Sequence, residues 1–283
     1  MADGKIRPGM LRLWTGSLVM LAVLSLLAAA APSSARAQAL AEAPAQSGTS
    51  AVHELPYNLK LDLPLTLGAL SIWVGTELGK SALAPEDCRW CRTNGFDEGI
   101  REGLKWENTT AARRASNWVT VGVLPLGLAA IMSVAAVRDH AADRLPEDLL
   151  FISEAVALAG LANQGIKFIA GRERPFVHAL PEADKGSTDH PSDNNLSFYS
   201  GHTSLAFSMA VAAGTVATMR GYRGAPYVWA VGIPLALLSG YLRIAADRHY
   251  MSDVLVGAAL GTAFGALTPW LLHRVSPDAG ATR

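Results

Sequence analysis

Five apolar stretches, at positions 118–137, 149–169, 198–219, 227–242 and 254–272, constrain this chain more than any other feature of it. The first runs for twenty residues without one charged side chain. About twenty apolar residues in helical form match the hydrocarbon thickness of a bilayer. Inside lipid every backbone polar group must be satisfied within the protein, which leaves helices or closed barrels. The stretches show no strand-like alternation and no internal repeat, so the expected class is all-α, a membrane-embedded bundle of five or six core helices. Gly257, Gly261 and Gly265 stand four apart in the last stretch, a spacing that lets helix backbones approach closely. Composition agrees: half of the residues are hydrophobic, 17% are charged, and mean hydropathy is +0.23. Basic and acidic residues both number 24, so no global field points to nucleic acid, and any anion site must be built locally.

Toward the amino terminus the pattern changes. Lys5, Arg7 and Arg12 precede an apolar run over 13–31, and Ala37-Gln38-Ala39 follows, which reads as a signal peptide over 1–39. Residues 40–58, rich in Ala, Ser, Pro and Gln, read as a flexible lead-in. Residues 59–116 hold an amphipathic segment and a cysteine-containing loop, 117–273 the main bundle, and 274–283 a tail. The stretch at 63–83 contains Pro64, Glu77 and Lys80, and is expected to lie in the interface or pack on the bundle rather than to span. Cys88 and Cys91 are the only cysteines. No further zinc ligands lie nearby and the strand context of a redox motif is missing, so a disulfide is expected, in an oxidising compartment.

Chemistry gathers at the ends of the apolar stretches. Lys167 closes one, and Arg174-Pro175 follows it. Ser200-Gly201-His202 opens the next, where unpaired N–H groups favour a bound anion. Arg243, His249 and Asp253 lie between the last two. Counting crossings puts all three clusters on one face of the membrane. Three cations, two histidines, a serine and a carboxylate converging there ask for a dianion such as phosphate.

The spacing resembles the superfamily of type 2 phosphatidic acid phosphatases, bacterial acid phosphatases and vanadium haloperoxidases, over about residues 115 to 273. Its motifs are Lys-x6-Arg-Pro, Pro-Ser-Gly-His and Ser-Arg-x5-His-x3-Asp. The first is complete here. Tyr199 replaces the proline of the second and Leu242 the serine of the third. The resemblance implies a metal-independent phosphatase without a cofactor, acting on a phosphorylated membrane lipid. His249 would be the phosphorylated nucleophile, Asp253 its orienter, and His202 the acid that protonates the leaving oxygen and later activates water. Lys167, Arg174, Ser200, Gly201 and Arg243 would hold the phosphate. Arg172 and Arg248 have no matched role and read as rim charges facing lipid or substrate. The resemblance also implies an active face on the periplasmic side. A vanadium haloperoxidase, or a non-enzymatic protein that keeps the fold, are the alternatives. The polar connection over 176–197 is long for a helix bundle and joins two site motifs, so it is expected to screen head groups.

Overall fold

The computed structural model describes residues 52–274. The signal-peptide reading of 1–39 therefore lies outside the described residues, as do positions 40–51 of the lead-in and 275–283 of the tail. The described chain is helical, without a β-strand among the described residues. The helices are α1 (Leu59–Leu78), α2 (Gly95–Leu104), α3 (Thr109–Asn117), α4 (Leu124–Arg138), α5 (Leu145–Ala170), α6 (Gly201–Arg220), α7 (Ala225–Ala245) and α8 (Met251–His273). A π-helical turn, Trp118–Val123, joins α3 to α4, so Thr109–Arg138 forms one continuous rod.

Local chemistry sets the ends. Asn58 caps α1, its side chain accepting the Lys60 N–H, and Asn94 caps α2 through the Asp97 N–H. Helix α5 begins with a proline in its first turn beside Glu147 and Asp148, which suit the positive end of the helix dipole. It stops at Gly171, whose φ of 52° is the left-handed conformation glycine adopts without strain. In α8, Asp253 at the third helical position accepts the Tyr250 backbone N–H at 3.0 Å.

Four helical stretches are long and apolar enough to cross a membrane: Thr109–Arg138, Ala142–Ala170, Ala225–Ala245 and Met251–His273. The fifth expected span, α6, is not among them. It is the central helix, packed against α4, α5, α7 and α8. A helix surrounded by helices does not face lipid, so it can bury Thr203, Ser204 and Ser208. Its partner α8 presents the glycine series: a Cβ on Gly257, Gly261 or Gly265 would sit 2.8, 2.5 or 2.6 Å from the carbonyl oxygens of Ser200, Ser204 and Ser208. Any side chain there would drive the two helices apart.

Helix α1 packs along α5, with Trp73 lying over Gly160 and Ala69 and Leu70 against Ala157. Its start lies beside residues 52–58, which pack on the end of the bundle far from the motif residues. There the His53 N–H donates to the Arg220 carbonyl, Leu55 is buried, and the Pro56 carbonyl faces His273. Positions 52–58 are thus fastened to the bundle, unlike the flexible lead-in expected of them, because Arg220 and His273 offer them polar partners. The other end of α1 reaches the motif end, where Gln164 donates to Glu77 and Lys80 pairs with Asp193. Twenty helical residues rise about 30 Å, the length of the bundle. The helix packs on the bundle, one of the two placements expected for 63–83, but it runs from one end of the bundle to the other, against the expectation that this stretch does not span; Glu77 and Lys80 are accommodated at the motif end by Gln164 and Asp193.

Candidate active site

All three motif clusters meet at one end of the bundle. Lys167 lies in the last turn of α5, Ser200 caps α6, Arg243 lies in the last turn of α7, and His249 sits in the short connection before α8. The connections are bonded directly to one another. The Ser200 N–H donates to the Asp253 carbonyl at 3.1 Å, and the Phe176 N–H to the Asp247 carbonyl at 3.3 Å. Asn163, one turn before Lys167 on α5, donates to the Tyr199 carbonyl at 2.8 Å. Tyr199 and Leu242, which replace residues of the familiar motifs, are both buried.

His249 is only 2% exposed. Its Nδ1 lies 2.8 Å from the Ser197 carbonyl oxygen, an acceptor that fixes the proton on Nδ1 and leaves Nε2 unprotonated. Burial, reinforced by the charges of Arg174, Arg243 and Lys167, pushes the His249 imidazole well below its ordinary value. A neutral ring with a bare Nε2 is the form that attacks phosphorus. Asp253 stands further off, its Oδ2 3.7 Å from Nδ1. That oxygen accepts the Ser197 hydroxyl at 2.6 Å, so Asp253 reaches His249 through the residue that holds it.

The three motif cations share one property: none forms an ion pair among the described residues. Arg174 is 6% exposed and is held by backbone oxygens, Nε donating to the Asp193 carbonyl at 2.7 Å and Nη1 to the Arg248 carbonyl at 3.1 Å. Its Nη1 lies 3.4 Å from His249 Nε2. Arg243 is 5% exposed and its buried Nε has no hydrogen-bond partner. Gly201 explains how Lys167 enters: a Cβ there would lie 3.0 Å from Lys167 Nζ and 2.8 Å from Asn163 Oδ1. The other buried arginines are paired: Arg220 with Asp148, and Arg172 with Asp97 and Asp253. Burying uncompensated charge is costly, so a pocket with three such cations is built for an anion.

His202, in the first turn of α6, brings its Nε2 to 2.8 Å from Asn117 Oδ1 at the end of α3. Ser200 is fully buried, its Oγ 2.8 Å from the Thr203 hydroxyl.

Arg172 corrects a sequence expectation. Read as a rim charge, it is instead 1% exposed and bridges two fully buried carboxylates, Asp97 at 2.7 Å and Asp253 at 2.6 Å. Ser252 donates to Asp97 through both its N–H and its hydroxyl, at 2.9 and 2.7 Å. The Arg172 guanidinium lies 4.1 Å from the Trp90 ring and 4.4 Å from the Tyr250 ring. Trp90 sits between Cys88 and Cys91, which are joined by a disulfide with Cα atoms 5.5 Å apart. Arg248 is partly buried, 4.4 Å over the Phe176 ring.

The connection over 176–197 builds the pocket as well as spanning it. It supplies the Asp193 carbonyl to Arg174, the Asn194 carbonyl to the Arg174 N–H at 2.8 Å, and the Ser197 carbonyl to His249. Burial alone would raise the Asp193 carboxyl, but Arg174, Lys80 and Lys167 more than offset it and hold it far below the usual range. Sequence reasoning missed Asn117, Asp97, Asn163 and Ser197. Only Asn163 left a signal, four residues before Lys167 on the same helix face.

Residues 148–277 match the sequence profile of the PAP2 superfamily. A 132-residue stretch is 33% identical to the lipid A 1-phosphatase of Porphyromonas gingivalis, covering 46% of this chain and 25% of that protein. Another, of 122 residues, is 31% identical to phospholipid phosphatase 2 of Bos taurus, covering 36% of this chain and 42% of that one. The chain thus spans between a quarter and under half of the length of these relatives. Among solved structures, the transmembrane PAP2 type phosphatidylglycerolphosphate phosphatase of Bacillus subtilis aligns over 91% of this chain and 96% of its own, with a TM-score of 0.39 and 17% identity. The matched segment, residues 148–277, holds every motif residue of the pocket, so the likeness to the PAP2 superfamily falls on the part of the chain that carries the site.

Proposed function

We propose that this protein is a phosphatase that releases phosphate from a phosphorylated membrane lipid through a phosphohistidine on His249. The observation that carries the reading is the set of three cations without an ion pair, Lys167, Arg174 and Arg243, around a neutral His249 whose unprotonated Nε2 faces Arg174 Nη1 at 3.4 Å. The resemblance to lipid phosphatases supports the substrate class. The three cations, Ser200 and the Gly201 N–H neutralise and orient the phosphoryl oxygens, the task metal ions perform in many other phosphatases. His249 Nε2 forms a bond to phosphorus as the bond to the lipid oxygen breaks, and that oxygen takes a proton from His202. Water then attacks phosphorus, giving its proton to His202, and the P–N bond breaks to free phosphate and restore His249. The test is phosphate release from a panel of phosphorylated lipids by protein in detergent with EDTA throughout. Turnover that resists EDTA and stops with vanadate is expected. Activity lost on chelation and restored by a divalent ion would overturn the role given to the cations.

We further propose that the site faces the outer side of the membrane. The Cys88–Cys91 disulfide lies at the site end, which suits an oxidising compartment. Passes by α1, the α3–α4 rod and α5 to α8 return residues 52 and 274 together to the far end. An outward site therefore puts both on the inner side, and requires that the apolar stretch at 13–31 not deliver residue 52 outside. A reporter active only in the cytoplasm, fused after Arg283, is expected to be active. A silent cytoplasmic fusion alongside an active periplasmic one would reverse the orientation.

A further inference from the structure

Asn117 belongs to neither the superfamily-matched segment nor any motif, yet its side chain contacts the proposed acid. Its Oδ1 lies 2.8 Å from His202 Nε2. The position is anchored on both sides. Ala112, five residues earlier, is fully buried against Ala245 and Ala246 at the end of α7. Thr120, three residues later, shares a 2.6 Å hydrogen bond with Ser239 of α7. The regular helix ends at Asn117 and the π-helical turn begins at the next residue. Such turns change which face a helix presents and recur at functional sites.

From this geometry we infer that Asn117 is the positioning residue of the acid–base step, holding a proton on His202 Nε2 so that Nδ1 exchanges the proton with the lipid oxygen. The inference rests on the phosphatase reading above. His202 needs this help. It sits at the positive end of the α6 dipole and within the field of Arg243, Lys167 and Arg174. To act as an acid the ring must carry two protons among these charges. A carbonyl oxygen on Nε2 stabilises that doubly protonated ring and fixes its plane, while Nδ1 carries the proton that leaves. When the P–O bond breaks, its electron pair stays on the lipid oxygen, which takes the Nδ1 proton. The ring is then neutral, with its proton on Nε2 and a lone pair on Nδ1, ready to accept a proton from water in the second step.

The experiment compares Asn117→Ala and Asn117→Asp on two monoesters, a lipid phosphate with an alkyl leaving group and an activated aryl phosphate. An alkoxide needs a proton as it leaves and a nitrophenolate barely does. Asn117→Ala is expected to lower kcat for the lipid phosphate about ten- to a hundredfold, the size of a lost hydrogen bond to a charged group. The aryl rate should fall no more than about threefold. Asn117→Asp keeps the acceptor, so it should retain the lipid rate within about fivefold and move the alkaline limb of the kcat profile upward, since a carboxylate favours the protonated ring. Equal losses on both substrates, or an aspartate variant as poor as the alanine one with an unmoved limb, would overturn the inference. The underlying reading is checked separately with His249→Ala on the aryl phosphate. If that variant turns over, the phosphohistidine reading fails, and if the wild-type protein releases phosphate from neither ester, the phosphatase reading fails, whatever Asn117 does.

Discussion

Replacing His249 with alanine is expected to lower turnover by more than about a thousandfold on every substrate, because a covalent nucleophile has no substitute in the pocket. The three cations would still bind the phosphate, so KM should change far less than kcat. The ring is 2% exposed and holds the Ser197 carbonyl, so the alanine variant also loses a buried hydrogen bond and leaves a cavity. A control is needed that keeps the fold. His249→Asn can still donate an amide N–H to the Ser197 carbonyl while offering no nucleophilic nitrogen, and it should be equally inactive but better folded. Brief exposure to labelled substrate followed by an alkaline quench should leave phosphate on wild-type protein and none on either variant. A variant retaining more than about a hundredth of the wild-type rate would remove His249 from the role of nucleophile.

The second large effect is expected at Arg172. One guanidinium bridges Asp97 and Asp253, both fully buried, with Trp90 and Tyr250 near its faces. Arg172→Ala would leave two carboxylates facing each other without a counter-charge. Removing one partner from a buried ion pair costs about 3–5 kcal/mol. For a chain of this size that is a fall in Tm of roughly 10 °C. Arg172→Lys should recover only part of the loss, since an ammonium cannot span two carboxylates with the planar fork of arginine. Activity should fall with stability in both variants, because Asp253 also holds Ser197, whose carbonyl orients His249. Thermal unfolding in detergent decides the matter. A Tm within about 2 °C of wild type for Arg172→Ala would show that the buried triad contributes little.

The two predictions differ in how far the sequence could have led to them. His249 was legible, because the motif spacings and a count of crossings suffice to bring Lys167, Arg174, Ser200, Arg243 and His249 to one end. One helix start could be read the same way, at Ser200, which caps α6. The apolar stretch at 198–219 was harder, because hydropathy records what a helix is made of and not what surrounds it. Helix α6 meets helices on its sides and so carries serines and threonines that a lipid-facing helix would avoid.

Arg172 shows where sequence reasoning ends. A basic residue after a membrane helix reads equally well as a snorkelling rim charge and as a buried one, and only its partners decide. Those partners are Asp97, 75 residues earlier, and Asp253, 81 residues later. The same holds for Asn117, 85 residues from His202, and for Ser197, whose contribution is a backbone carbonyl that no side-chain pattern can signal. Periodicity and spacing are properties of neighbouring residues, so the sequence alone determined the helical class and the set of motif residues that share one face. Which charges are paired and which stay bare depends on segments packed together from distant parts of the chain. Only the tertiary structure therefore decided that Arg172 belongs to the scaffold while Lys167, Arg174 and Arg243 are left free for an anion.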